Sequence, residues 1–151
     1  MLRSLLVVSL LSCAACSSNV DGELYIGPRD GSAQVFTPSE CTSGEPLEFF
    51  GVDILDNHDR LLRFVHFAAT GPELIFFDRG DNEESLRVHP SNCRLFDGRL
   101  KRTDVEINGV WAMKGDIALD CDASNGDVVQ GEIEFSDCAD INNNYDDYDY
   151  D

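Results

Sequence analysis

The sequence predicts an all-β protein, a single antiparallel β-sandwich or flattened barrel of short strands held by two disulfides. Three observations support this. Apolar runs of strand length alternate with turn-forming residues, no long segment has a helical period, and four cysteines lie downstream of the first 20 residues. A domain between residues 23 and 138 is long enough to bury a core of its own.

The first predicted strands are short and lie between clusters of Gly, Pro, Asp and Asn. These clusters favour turns because their residues adopt turn geometries at low cost. The predicted strands cover residues 24–26, 33–36, 47–55, 60–68, 73–77, 85–89 and 93–96.

The clearest pattern runs from Asp104 to Cys121. Odd positions are apolar or glycine and even positions are mostly polar, which is the period of a strand with one buried face. The segment is predicted as one strand bent at Gly109 and Gly115, or as two strands that keep the same facing. Either arrangement makes Trp111 a core residue, with a ligand groove as the alternative.

A further strand is predicted from Val129 to Phe135, joined to the preceding one by a tight hairpin. A three-residue loop of Ser124, Asn125 and Gly126 pairs Cys121 with Val129, so the apolar sets share one face.

The cysteine positions favour the pairs Cys93–Cys121 and Cys41–Cys138. In that hairpin, Cys138 lies nine residues beyond Val129, or about 30 Å along a strand, whereas a disulfide needs Cα atoms within about 7 Å. A Cys121–Cys138 bridge is therefore not expected. No C-x-x-C pair suggests a metal site.

Residues 139–151 change composition abruptly. They contain Asp, Asn and Tyr and no basic residue, so they are predicted to form a disordered acidic tail.

The N-terminus carries an export signal. Arg3 precedes a seven-residue, mostly apolar run, Leu5 to Leu11, that is far too short to span a bilayer, where about 20 residues are needed. Small residues and a cysteine follow.

This segment resembles the signal of bacterial lipoprotein precursors. The resemblance implies a signal peptide over 1–15, lipid on Cys16 and a tether over 16–22, with Cys13 as the alternative lipid site. Ser17 in place of Asp implies the outer membrane. Lipid on Cys16 leaves four cysteines to pair, whereas lipid on Cys13 leaves a fifth thiol. A plain secretory signal cut after Ala14 or Ala15, or a chance apolar start, is the competing interpretation.

The net charge of the chain limits the classes of partner that it can bind. The formal net charge is −18, and removal of Arg3 with the signal makes it −19, which disfavours nucleic acid and anionic headgroups. A solvated acidic surface is the simplest interpretation, and a cation or a basic partner is the alternative.

No catalytic pattern is evident. His58, His66 and His89 are scattered, and no serine lies in a nucleophile motif, so a non-enzymatic protein is expected, with an envelope hydrolase as a remote alternative.

Calcium is the most plausible ion, through two imperfect matches to a calcium loop. One uses Asp120 and Asp122, with Asn125 where glycine is required. The tail match uses Asp140, Asn142, Asn144 and Asp151, with Tyr145 at the glycine position. Arg79-Gly80-Asp81 matches an integrin-binding tripeptide, although a turn explains it equally well.

The expected function is that of a lipid-anchored envelope β-domain with a binding or structural role, for which an envelope protein is the candidate partner. No cofactor is expected. It loosely resembles uncharacterised small outer-membrane lipoproteins. A calcium-dependent adhesion module is the alternative.

Overall fold

The computed structural model describes residues 19–78 and 83–139 and contains ten strands in that part of the chain. They are β1 (Asn19–Gly27), β2 (Gln34–Phe36), β3 (Pro38–Ser43), β4 (Gly51–Asp56), β5 (Leu61–Phe67), β6 (Gly71–Phe77), β7 (Glu84–Val88), β8 (Cys93–Ile107), β9 (Val110–Asp122) and β10 (Val128–Cys138). Short 3-10 helices span Glu45–Leu47 and Pro90–Asn92. No helix among the described residues is long and apolar enough to cross a membrane.

The strands form two antiparallel five-stranded sheets packed face to face. The first sheet has the order β2-β1-β10-β9-β8 and the second has the order β3-β4-β5-β6-β7. The sheets do not close on each other, so the protein is a sandwich and not a barrel, which confirms the predicted fold class.

The core lies between the two sheets because alternate residues of each strand point inwards. Its fully buried side chains include Leu24, Val52, Ile54, Leu62, Phe64, Leu74, Val88, Ile117 and Ile133. Phe36 meets Phe76 and Phe64 meets Phe135 edge to face across this layer, at 6.0 and 6.4 Å between ring centroids.

The sheets are connected at both sides of the sandwich. The chain passes from β2 to β3 across Thr37, and β7 leads to β8 through the second 3-10 helix. The β9–β10 loop also contacts the second sheet. The Ser124 backbone N–H donates to the Arg87 carbonyl, and the Ser124 hydroxyl accepts from the Arg87 N–H, both at 3.1 Å.

The predicted β9–β10 register is confirmed. Cys121 pairs with Val129, and the Ala123 N–H donates to the Asp127 carbonyl, which leaves a loop of three residues. Gly126 has φ +91°, a conformation that glycine adopts without steric cost.

The prediction for residues 104–121 is wrong in one respect. Asn108 and Gly109 form a two-residue turn with positive φ, so Ile107 pairs with Val110 and odd residues of β8 meet even residues of β9. Apolar odd residues face the core in β9, whereas Val105 is 49% exposed. Trp111 is half-buried near the hairpin tip, where Arg102 stacks on its ring, and is not a core residue.

The domain extends past its predicted limits. β1 begins at Asn19, inside the stretch 16–22 predicted as a tether, and Val20 packs against the core. Ala139, assigned to the tail, is buried. β3 was not predicted because its sequence, PSECTS, contains no apolar run. β8 and β10 are longer than the strands predicted at 93–96 and 129–135.

Both predicted disulfides are confirmed. Cys41 of β3 bridges to Cys138 of β10 and joins the two sheets, with Cα atoms 5.0 Å apart. Cys93 and Cys121 lie opposite each other on β8 and β9 within the first sheet.

Candidate functional site

The outer face of the first sheet is strongly acidic. It arises because carboxylates occupy many outward positions of β1, β9 and β10, which alternation turns away from the core, and Asp97 adds one from β8. We call this surface the acidic face and define it by Asp21, Glu23, Asp97, Asp116, Asp120, Glu132 and Glu134.

Carboxylates lie directly opposite one another across three strands of the acidic face. Asp21 pairs with Glu134, which in turn pairs with Asp116, and Glu23 pairs with Glu132. Side chains in such pairs have Cβ atoms about 4.5–5.5 Å apart, and like charges at this separation destabilise a sheet. The arrangement therefore lowers the stability of the fold.

Arginines neutralise one margin of the acidic face. Arg99 lies 2.9 Å from Asp116, and Arg94 donates from Nε to Asp120 at 2.7 Å. The Arg94 guanidinium holds the pKa of Asp120 below its usual range. The Arg99 charge also acts on Asp97 and Glu134, whereas Asp21, Glu23 and Glu132 have no contact with an arginine among the described residues.

Five carboxylates of the acidic face have no ion pair within the described residues. They are Asp21, Glu23, Asp97, Glu132 and Glu134. The Tyr25 hydroxyl donates to Glu23 at 3.0 Å, and this bond with the adjacent negative charge raises the pKa of Tyr25. A neutral hydroxyl satisfies one oxygen and adds no positive charge.

The outer face of the second sheet is different because its charges are paired. Arg63 makes two 2.8 Å bonds to Asp53 and lies over the Phe49 ring at 4.4 Å. Burial raises the pKa of Asp53, although Arg63 opposes that shift. Arg87 bridges Glu73 and Glu84 at 2.8 and 2.6 Å. The ion pairs of Arg63 and Arg87 therefore stabilise the second sheet and leave none of these charges unpaired.

Two concavities accompany the sheets. A cleft of about 220 Å³ lies at one end of the sandwich between residues such as Ile26, Phe36, Arg60 and Phe76. It is smaller than the roughly 300–1,000 Å³ of ordinary ligand pockets. An open trough of about 560 Å³ borders the acidic face and is lined in part by Asp21, Asp116 and Glu134.

The residues proposed for calcium are held by arginines. Asp120 accepts from Arg94, and Asp122 accepts from Arg29. Both carboxylates lie on β9 and not in a loop. Within residues 19–78 and 83–139, no group of three or more acidic, His or Cys side chains is placed to hold a metal ion.

The three histidines do not form a catalytic group. His58 lies in the β4–β5 turn and His66 near the far end of β5. His89 accepts from the Ser91 N–H at 3.2 Å, and its ring lies 2.7 Å from the Ser91 hydroxyl, so it caps the second 3-10 helix.

Several predicted features lie outside the described residues. These are the signal peptide, Cys13 and Cys16, the tripeptide 79–81 and the tail from residue 140, with its calcium match.

The acidic face was missed by the sequence prediction. Its signal was the run of acidic residues at the polar positions of β9 and β10, but recognising the face also requires the pairing of β1 with β10.

No family model, no curated protein and no solved structure matches this chain.

Proposed function

We propose that this protein is a lipid-anchored component of the cell envelope that binds a basic partner through its acidic face. Its role is non-catalytic. The observation that carries the proposal is the set of directly opposed carboxylates on β1, β10 and β9, of which only Asp116 has an ion pair among the described residues.

The position of β1 supports the anchor. The strand begins at Asn19, three residues after Cys16, and three residues span at most about 10 Å. Lipid on Cys16 would therefore hold this end of the sandwich next to the bilayer. The two disulfides are consistent with an oxidising compartment outside the cytoplasm.

The electrostatics support a basic partner. Opposed carboxylates cost stability in the free protein, and a basic segment laid across β1, β10 and β9 would relieve that repulsion. Positions that weaken the fold but serve binding are a common trade-off in proteins. The trough beside Asp21, Asp116 and Glu134 gives such a segment a concave surface.

Mass spectrometry tests the anchor. The protein isolated from the membrane fraction is expected to begin at Cys16 with a diacylglycerol on its thiol and, in most bacteria, an acylated amine. Cys16→Ser is expected to release the protein from membranes, and Cys13→Ser is expected not to. An unmodified N-terminus at Cys16 or Ser17 would contradict the anchor.

Peptide binding tests the acidic face. A labelled lysine-rich peptide is titrated into the full-length protein and followed by fluorescence anisotropy. Glu132→Gln with Glu134→Gln is expected to weaken binding about tenfold, because two contacts of roughly 0.5–1 kcal/mol are lost. The same variant is expected to melt at a higher temperature than the wild type, because repulsion with Glu23 and Asp21 is removed.

The matched control removes the same charge elsewhere. Glu40→Gln with Glu48→Gln changes two exposed residues of the β3–β4 region, and its peptide affinity is expected to stay near the wild-type value. An equal loss in both double variants would mean that net charge, and not the acidic face, determines binding.

A further inference from the structure

β8 is an edge strand of unusual length. It spans 15 residues, from Cys93 to Ile107, and forms one margin of the first sheet. Within the described part of the chain, no strand pairs with its other side. Irregularities at Cys93–Leu95 and Arg102–Glu106 interrupt its pairing with β9, so the regular segment runs from Leu95 to Arg102. Such an edge presents unpaired backbone groups to another strand.

The free hydrogen-bonding groups of β8 belong to its even residues. The Leu95 carbonyl lies 3.4 Å from Cys121 Sγ on β9. The Arg99 carbonyl also points to β9. Its oxygen lies so near Gly115 that a Cβ atom added to this glycine would be 1.9 Å from it. Because backbone direction alternates along a strand, Phe96, Gly98 and Leu100 direct their N–H and C=O groups away from the sheet.

We propose that β8 pairs antiparallel with β8 of a second copy of this chain, with the two-fold axis at Gly98. This register places Phe96 opposite Leu100 of the second copy on the inner face. It places Asp97 opposite Arg99 of the second copy on the outer face. Each pair occurs twice because the interface is symmetric.

The residues of β8 are self-complementary in this register. Phe96 and Leu100 are half-buried apolar residues at the margin of the core, and the pairing covers what remains exposed. Leu95, 49% exposed, lies opposite Lys101 of the second copy, whose aliphatic stem it contacts. In each copy, three residues direct their backbone N–H and C=O groups away from β9, and together the two copies form about six backbone hydrogen bonds.

Neighbouring registers are less complementary in charge and apolar contact. Inner-face residues meet each other only when the two-fold axis passes through a residue. The nearest alternatives to Gly98 therefore place the axis one residue away on either side. With the axis at Arg99, Asp97 faces Lys101, but two arginines oppose each other and Phe96 faces Arg102; with the axis at Asp97, two aspartates oppose each other. The axis at Gly98 pairs opposite charges instead.

This dimer goes beyond the proposed function and does not depend on it. Joining two first sheets makes one ten-stranded sheet that carries both acidic faces on the same side, with the arginines of the two β8 strands between them. Two linked binding faces would engage a repetitive basic partner more tightly than one.

Charge exchange at two positions tests the register. The mature protein is studied in a mild non-ionic detergent, so that the result is the same whether or not Cys16 carries lipid, and its protein mass is measured by light scattering. Asp97→Arg places two arginines opposite each other across the axis, and Arg99→Asp places two aspartates there. Each variant is expected to bind its own second copy with a roughly tenfold higher Kd, so its dimer dissociates at about tenfold higher protein concentration than the wild-type dimer.

Mixing the two variants is the decisive arm. One copy then offers two arginines and the other two aspartates, so a heterodimer is expected with an affinity near that of the wild type. Its formation also demonstrates that both variants are folded. Glu23→Arg makes the same charge change on β1 and is expected to leave the dimer intact. Three results would each overturn the proposal. The wild type could be monomeric at about 100 µM, the single variants could dimerise as tightly as the wild type, or the mixture could stay monomeric.

Discussion

Asp56 shows how a single buried carboxylate organises a turn. It is 3% exposed at the end of β4, and its Oδ1 accepts from the backbone N–H groups of His58 at 2.8 Å and Arg60 at 2.9 Å. Its Oδ2 accepts from Arg60 Nε at 2.7 Å. Burial by itself would raise the pKa of Asp56, but these hydrogen bonds and the Arg60 charge together hold the pKa below its usual value.

Asp56→Asn is expected to destabilise the protein by about 2 kcal/mol at neutral pH, because the oxygen that accepts from Arg60 Nε is replaced by an NH₂ donor and the negative charge is lost. A carboxylate with a depressed folded pKa stabilises the fold above its unfolded pKa of about 3.9, and this contribution is lost as pH falls through the folded pKa. The difference between variant and wild type should therefore shrink from pH 7 to pH 3 in urea unfolding. Asp30→Asn, in an exposed loop, is the control and should have little effect at either pH. A difference that is the same at both values would contradict this role for Asp56.

At the scale of the element, prediction from sequence succeeded where the information is local. The β9–β10 hairpin follows from alternation on both sides of Ser124-Asn125-Gly126, because one loop length brings the two apolar sets to the same face. The same register excluded a Cys121–Cys138 bridge and left two of the three possible pairings, one of which is the observed pair.

Prediction failed where alternation is ambiguous or absent. Asn108-Gly109 is a strong hairpin signal, but the odd-position pattern continues across it. This hid both the change of facing that exposes Val105 and the turn that places Trp111 near the hairpin tip. β3 is polar and is held in place by its pairing with β4 and by Cys41, neither of which is visible in PSECTS.

The acidic face illustrates the same limit for the site. The polar side of each strand is evident from the sequence, but Asp21 meets Glu134 only because β1 pairs with β10, more than 100 residues later. Long-range pairing of this kind leaves no local pattern, so the opposition of charges that supports the proposed function required the structure.

At the scale of the whole molecule, the two disulfides have different roles. Cys41–Cys138 closes a loop of 97 residues and joins the second sheet to the first. Cys93–Cys121 closes 28 residues and joins neighbouring strands of one sheet, which already share a long ladder of backbone hydrogen bonds. The bridge between the sheets is thus the one that restricts the unfolded chain more.

Replacing each pair by alanine should separate these roles. Loop-closure entropy gives about 4.7 kcal/mol for the 97-residue loop and about 3.6 kcal/mol for the 28-residue loop. Cys41 and Cys138 are both buried, whereas Cys93 is half-buried, so cavity formation adds to the same ranking. Cys41→Ala with Cys138→Ala is therefore expected to lower the free energy of unfolding by at least about 1 kcal/mol more than Cys93→Ala with Cys121→Ala. Denaturant unfolding of both double variants under oxidising conditions measures the difference, and an equal or reversed loss would mean that the β8–β9 bridge, and not the link between the sheets, limits the stability of the sandwich.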